Sequence, residues 1–325
     1  MVIQFQDAPL ILVMGSSGSG KTRFVNYLMP NSDDDEPNPE SGSSNIQIAP
    51  VRFGDKLVYV ADTPGFDHGH SASKNLEDMT LFLGRQYESG CKLRGIVFLH
   101  QITELELQGA GLTHFHMFQE MCGEDAFKNV VLLTTKWDEV DVGVGSRRHL
   151  ELKDEFWGPM IRHGGQARRF HPASTSLAEA LICRLLDKQD VVLKIQKEVM
   201  EEGKHLDETA AGHLVVRGID HRLDGLTNEI KQLMKDSELA AGFGNNGRLE
   251  ETQNDLSRAR ASEQDMMAAR RRLQRDMQGI IREEIREEKS KADSGRGIRI
   301  FSSLVRLTIS TTTDYILPLL GVDVL

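Results

Sequence analysis

Leu10-Ile11-Leu12-Val13-Met14 is an unbroken apolar run ending at a glycine-rich segment, the pattern of a parallel strand buried on both faces. Similar runs recur at Ile46 to Phe53, Leu57 to Ala61, Ile96 to His100 and Val130 to Thr134. Lys21 to Met29 reads as a short helix. Between the later runs apolar residues take helical spacing, as at Phe115, Phe118 and Met121 or Cys122. Strands alternating with helices predict an α/β fold, a mostly parallel sheet with flanking helices, whose ligand sits at the carboxyl ends of the strands. Pro30 to Ser44, with Asp33-Asp34-Asp35-Glu36, predicts a loop that cannot pack.

From about Ser174 the pattern becomes helical throughout. Leu177, Leu181 and Leu185 predict a helix that closes the first domain and runs on, and Lys194 to Lys235 continues with Ile195, Val199, Leu206, Leu214, Leu223, Leu226, Ile230 and Leu233. Gly242 to Gly247 breaks it. In Arg248 to Ala292, Leu249, Leu256, Met266, Leu273 and Ile280 recur near every seventh position among arginines and glutamates. Two readings fit: a hairpin or coiled coil, and a solvated helix packed back on the first domain. Ile298 to Leu325 is more hydrophobic but is interrupted by Arg306, Asp314 and Pro318. A terminal element docked on protein or on a membrane surface fits that better than a spanning helix. The expected organisation is a domain at 1–190, a helical extension at 191–295 and a hydrophobic tail at 296–325.

The chain has 325 residues, 39% hydrophobic and 27% charged, with formal net charge −10, which suits a soluble protein and argues against nucleic acid as a partner. Cys91, Cys122 and Cys183 are an odd, scattered set with no CxxC, read as buried reduced thiols rather than disulfides or a zinc site. Met1 to Pro9 lacks a signal-peptide pattern. The expectation is a cytoplasmic chain, with peripheral membrane association through the tail as a candidate.

Gly15-Ser16-Ser17-Gly18-Ser19-Gly20-Lys21-Thr22 is a complete GxxxxGK[ST] loop between strand and helix. Its backbone N–H groups and the following helix N-terminus, including Arg23, suit the phosphates of a nucleotide. Lys21 is expected on the β- and γ-phosphates and the Thr22 hydroxyl on Mg²⁺. Asp62-Thr63-Pro64-Gly65 follows a strand. Asp62 is placed to hold the metal through water, and the Gly65 N–H to sense the γ-phosphate. Thr135-Lys136-Trp137-Asp138 matches the guanine-reading TKxD pattern. Its buried Asp138 carboxylate accepts from N1–H and the 2-amino group, donors that adenine lacks, and Lys136 braces the phosphate loop. Ser43 or Ser44 is placed to complete the magnesium shell. Phe170-His171-Pro172-Ala173-Ser174 is the candidate last base contact, with His171 its representative residue. The expected ligands are GTP or GDP with Mg²⁺.

Asp62-Thr63-Pro64-Gly65-Phe66, Thr134 to Val140 and Leu93 to His100 together resemble the septin-related P-loop GTPases of the TRAFAC class. These include the AIG-type immunity-associated proteins and the chloroplast-import receptor GTPases; the likeness is greatest to fungal G-domain proteins of that type. It extends over about residues 8–240. The resemblance implies nucleotide-dependent dimerisation across G domains and often a membrane-associated scaffold role. Under it, Ser43 stands where the family usually has a switch threonine.

Phe66 follows DTPG where Ras-like enzymes place a water-orienting glutamine, so slow intrinsic hydrolysis is expected. Ser17 narrows the approach an inserted arginine finger would use. His68 and His70 read as catalytic contacts, dimer contacts or plain loop residues. Two functions are carried forward: a slowly hydrolysing GTPase whose conformational change is read by the helical extension, and a nucleotide-locked scaffold with negligible turnover. An ATPase or kinase is disfavoured by Asp138.

Overall fold

The structure, a computed structural model, describes residues 8–29, 46–65, 72–104 and 110–293. Six strands form one sheet in the order β2-β3-β1-β4-β5-β6: β1 (Leu10–Gly15), β2 (Gln47–Phe53), β3 (Lys56–Asp62), β4 (Leu93–Gln101), β5 (Val130–Thr135) and β6 (Gln166–Arg169). All neighbours run parallel except β2 and β3, a hairpin turned at Gly54 and Asp55. Gly54 has φ +59°, which glycine adopts without steric cost. This is the expected mostly parallel α/β sheet with flanking helices, and the GxxxxGK[ST] loop lies between β1 and α1 (Lys21–Asn26).

The unbroken run in β1 reflects burial on both faces. Leu10, Leu12 and Met14 enter one core; Ile11 and Val13 enter the other with Phe24 and Val25 of α1 and Leu181, Ile182 and Leu185 of α6 (Thr175–Leu186). The first core also takes α2 (Ala72–Glu88) and α3 (Ala110–Cys122). Between β5 and β6 lie α4 (Val142–Glu151) and α5 (Gly158–Arg162).

The helix ending the sheet does not run on as expected. It stops at Leu186 because long-range donors take the carbonyls that another turn would use. Arg94 donates to Leu186 O and Lys188 O, at 3.0 and 2.9 Å, and Asn129 donates to Gln189 O at 2.8 Å. Nor is Lys194 to Lys235 one helix. A short α7 (Lys194–Gln196) and a π-turn at Lys197–Glu201 precede α8 (Ala210–Gly242). Thr209 caps α8, its hydroxyl accepting from Gly212 N at 3.0 Å, and the buried Glu198 carboxylate accepts from Ala210 N at 3.2 Å.

α8 reverses at Phe243 to Asn245 and pairs antiparallel with α9 (Asn246–Arg272), so that Arg270 lies 3.4 Å from Asp220. The seam differs from the heptad read in the sequence. Leu249, Leu256 and Met266 are half-buried, whereas Thr252, Ala259 and Ala269 are buried. The buried positions of α9 thus carry small side chains. Leu273, Met277, Ile281 and Ile285 then enter the first core as α10 (Met277–Asp293) runs along α2. Gly84 permits that approach, since a Cβ there would sit 2.4 Å from Ile281 Cδ1.

Among the described residues no helix is long and apolar enough to cross a membrane; the 296–325 tail lies outside them. Cys122 is buried, Cys91 half-buried and Cys183 exposed on the outer face of α6, which corrects the expectation of three buried thiols.

Candidate functional site

Three loops meet at the carboxyl ends of β1, β3 and β5. The first leaves β1 at Gly15, whose φ is +143° and where a Cβ would lie 2.2 Å from Leu99 O. Only glycine lets the loop pass that close to β4. Lys21 is buried and donates to Ser16 O at 2.8 Å, while Arg23 is exposed on α1.

The second loop is pinned to the first. Thr63 donates from its hydroxyl to Val13 O at 2.9 Å and from its backbone N at 3.2 Å. This sets the adjacent Asp62, 3% exposed, against Thr22, whose Oγ1 donates to Asp62 Oδ2 at 2.6 Å. Burial raises the Asp62 carboxyl above its ordinary range, opposed by the Thr22 hydrogen bond and the Lys21 charge. Asp62 Oδ1, Ser16 Oγ and Ser19 Oγ are buried without a hydrogen-bond partner among the described residues. Orphaned buried polar atoms are costly unless a ligand meets them. A cationic group beside Thr22 and Asp62, with an anion over the loop, satisfies this set. Among the described residues no three His, Cys, Asp or Glu side chains come together as a metal cage. The Thr22 hydroxyl and Asp62 carboxylate are hard oxygen donors that suit Mg²⁺, which takes few protein ligands and completes its shell with water and phosphate.

The third loop is tied to the first by Thr135 Oγ1, donating to Ser19 O at 2.7 Å. Lys136 adopts φ 59°, a left-handed conformation unusual for a side-chain-bearing residue. Trp137 holds it there. Its ring is 4% exposed and its Nε1 donates to Thr134 O and Oγ1, both at 3.1 Å. The Arg169 guanidinium lies 4.5 Å over the ring, and a Cβ at Gly145 would lie 2.9 Å from it. Asp138 is correspondingly turned outward.

The expectation of a buried Asp138 is corrected, because its side chain is 75% exposed, 3.4 Å from His171 Nδ1. His171 follows Phe170, whose N–H donates to Thr134 O at 2.8 Å and whose ring meets Phe24 and Tyr27 at 5.3 and 5.4 Å. The expected residues Gly15 to Arg23, Asp62, Gly65, Thr135, Lys136, Asp138 and His171 thus gather at one end of the sheet. Ser43, Ser44, Phe66, His68 and His70 lie outside the described residues.

Trp137, His149 and Arg169 were not singled out from the sequence; the legible signal was a tryptophan inside TKxD. His149 is buried beneath Trp137, with Nδ1 3.1 Å from Thr134 Oγ1. Burial, then Arg169 and Lys153, lower its pKa from 6.5 to about 4. A histidine held neutral stabilises fully above 6.5, and that contribution is lost as pH falls toward 4. His149→Gln is therefore expected to cost most above pH 6.5 and least near pH 4 in paired melting curves. A cost independent of pH contradicts this role.

No protein-family model and no curated protein matches the chain. Among solved structures it is similar to Toc33 from Arabidopsis thaliana in complex with Mg²⁺ and GMPPNP, at 14% identity over 57% of this chain and 89% of that one, TM-score 0.45. It is also similar to a structure of the chloroplast translocon components atToc33 and psToc159, for which dimerisation is described as important for GTPase activity. There the identity is 13% over 58% and 87%, TM-score 0.44. The elongation factor SelB from Methanococcus maripaludis, in complex with GPPNHP, is matched at 11% identity over 57% of this chain and 35% of its own length, TM-score 0.39. Identities and scores this low carry no functional detail to this chain.

Proposed function

We propose that the chain is a Mg²⁺-dependent, guanine-nucleotide-binding GTPase that hydrolyses GTP slowly, with turnover coupled to homodimerisation of its G domains. The observation that carries this reading is the short Thr22–Asp62 contact beside orphaned Asp62 Oδ1, Ser16 Oγ and Ser19 Oγ, with the base loop tied to the same phosphate loop. In this reading the backbone from Gly15 to Gly20, with Arg23 beside it, cradles the phosphates. Lys21 neutralises the β- and γ-phosphates, and the Gly65 N–H meets the γ-phosphate. Thr22, Ser43 and Asp62 hold the metal, which supplies charge neutralisation as the phosphoryl group transfers. Asp138 reads the guanine edge, Lys136 lies along the base, Thr135 fixes the loop and His171 closes its far side.

The helical extension, 191–295, reads the state of the site through α2. That helix starts at Ala72, soon after Gly65, and meets the extension in two charge clusters. Buried Glu77 faces Arg272 and Arg275, and buried Arg85 faces Glu284 and Glu288. The 296–325 tail is assigned to peripheral membrane association of an otherwise cytoplasmic protein.

Phosphate release across a range of protein concentrations tests the enzyme reading. Specific activity rising with concentration supports a dimer-coupled GTPase. Phe66 favours a second reading, a nucleotide-locked scaffold, for which tight GTP binding with no turnover at any concentration is the expected result. A strict monomer in every nucleotide state overturns the dimer.

A further inference from the structure

β6 is an edge strand, bonded among the described residues only to β5. Phe170 N–H and Arg168 C=O point toward β5. By alternation Ala167 and Arg169 turn their backbone groups outward, open to a further strand. Beside this edge runs α6, and between them lies a cleft of ≈ 280 Å³ lined by Arg168, Arg169, Leu177, Ala180, Leu181 and Arg184. Leu177, Ala180 and Leu181 give it an apolar lining from α6 and Arg168 and Arg184 flank it, while the Arg169 side chain turns to the other face of the sheet, over Trp137.

Asp and Glu outnumber Lys and Arg by 49 to 39, and neither Arg168 nor Arg184 forms an ion pair among the described residues. Arg168 donates to the neutral Gln166 Oε1 at 3.1 Å. Guanidiniums left without carboxylates on either side of an apolar cleft suit carboxylates from outside.

We propose that this cleft docks an acidic, extended segment of a partner protein. The segment adds to β6 as a strand, sets carboxylates against Arg168 and Arg184, and places one large apolar side chain on Leu177, Ala180 and Leu181. The unpaired strand edge selects a peptide, because it offers backbone donors and acceptors at strand spacing. The apolar lining accommodates a single side chain, not a folded surface. A phosphate polyanion matches the arginines but leaves both the strand edge and the apolar lining unmet.

The probe is fluorescein-labelled Asp-Thr-Glu-Thr-Leu-Thr-Glu-Thr-Asp, which as a strand carries its acids and its leucine on one face, titrated by anisotropy against the full chain. Saturable binding is expected, weakening about tenfold when the peptide leucine becomes serine. A loss of about tenfold or more is expected in the Arg168→Ala, Arg184→Ala double variant, since two charged contacts are removed. Both arginines are exposed, so the variant should keep the wild-type melting curve. No saturable binding, or binding indifferent to the leucine and to both arginines, overturns the proposal. So does a short single-stranded oligonucleotide that binds the same arginines more tightly than the peptide.

Discussion

Replacing Asp138 by asparagine is expected to weaken GDP binding by about a hundredfold or more while leaving the fold intact. The carboxylate is 75% exposed and its neighbour is His171, so no buried partner is orphaned by the change. The loss falls on the ligand. A carboxylate accepts from the guanine N1–H and 2-amino groups together; an asparagine offers one carbonyl to those donors and turns its NH₂ toward one of them. Hydrogen bonds to a charged group contribute about 1.5–3 kcal/mol each, and a site built around such bonds rejects a mismatched edge strongly. Xanthine carries a carbonyl where guanine carries the amine, so the variant should regain affinity for XDP. Competition binding of GDP, XDP and ADP reads all three. Unchanged GDP affinity would remove Asp138 from base recognition.

The second large effect concerns Arg85. This side chain is 5% exposed, and Glu284 and Glu288 approach it at 3.1 Å each, the first as an ion pair without hydrogen-bond alignment. Arg85→Ala leaves two glutamates one turn apart on α10 with no cation between them. Deleting one partner of a fully buried pair costs about 3–5 kcal/mol; with each glutamate about a third exposed, on the order of 2 kcal/mol is expected. Arg85→Glu combined with Glu284→Arg and Glu288→Arg should recover much of that loss, which a packing effect alone would not. In hydrogen exchange, Arg85→Ala should also deprotect α10 and abolish any nucleotide-dependent change there. A variant as stable as wild type, with α10 still following the nucleotide, shows that the charge clusters are not the link.

These positions mark how far the sequence could be read. The β1 run and the phosphate, DxxG and TKxD boxes were legible because each is local: the residues that define them are neighbours in the chain, and the loops they form follow from glycine freedom and strand ends. The end of α6 was not legible, because Arg94 and Asn129, distant in sequence, take the carbonyls around Leu186 to Gln189. The α8–α9 seam was misread for a related reason. Leucines at heptad spacing promise the contact, but the buried positions of α9 are Thr252, Ala259 and Ala269 instead. Glu77 and Arg85 carry no local signal of burial, because the partners that make burial of those charges tolerable lie on α9, α10 and the turn between them, about 190 or more residues away in sequence. Trp137 was seen as the variable letter of a motif, when its packing is what holds Lys136 left-handed and Asp138 outward.

Binding of guanine nucleotide with magnesium by the gathered loops underlies every role proposed for the site. Equilibrium binding of GDP and ADP to the purified full chain, with Mg²⁺ and again with EDTA, tests it most directly. GDP binding at least about a hundredfold tighter than ADP, and weakened by EDTA, is the predicted result. Equal affinity for the two, or no binding of either, contradicts it.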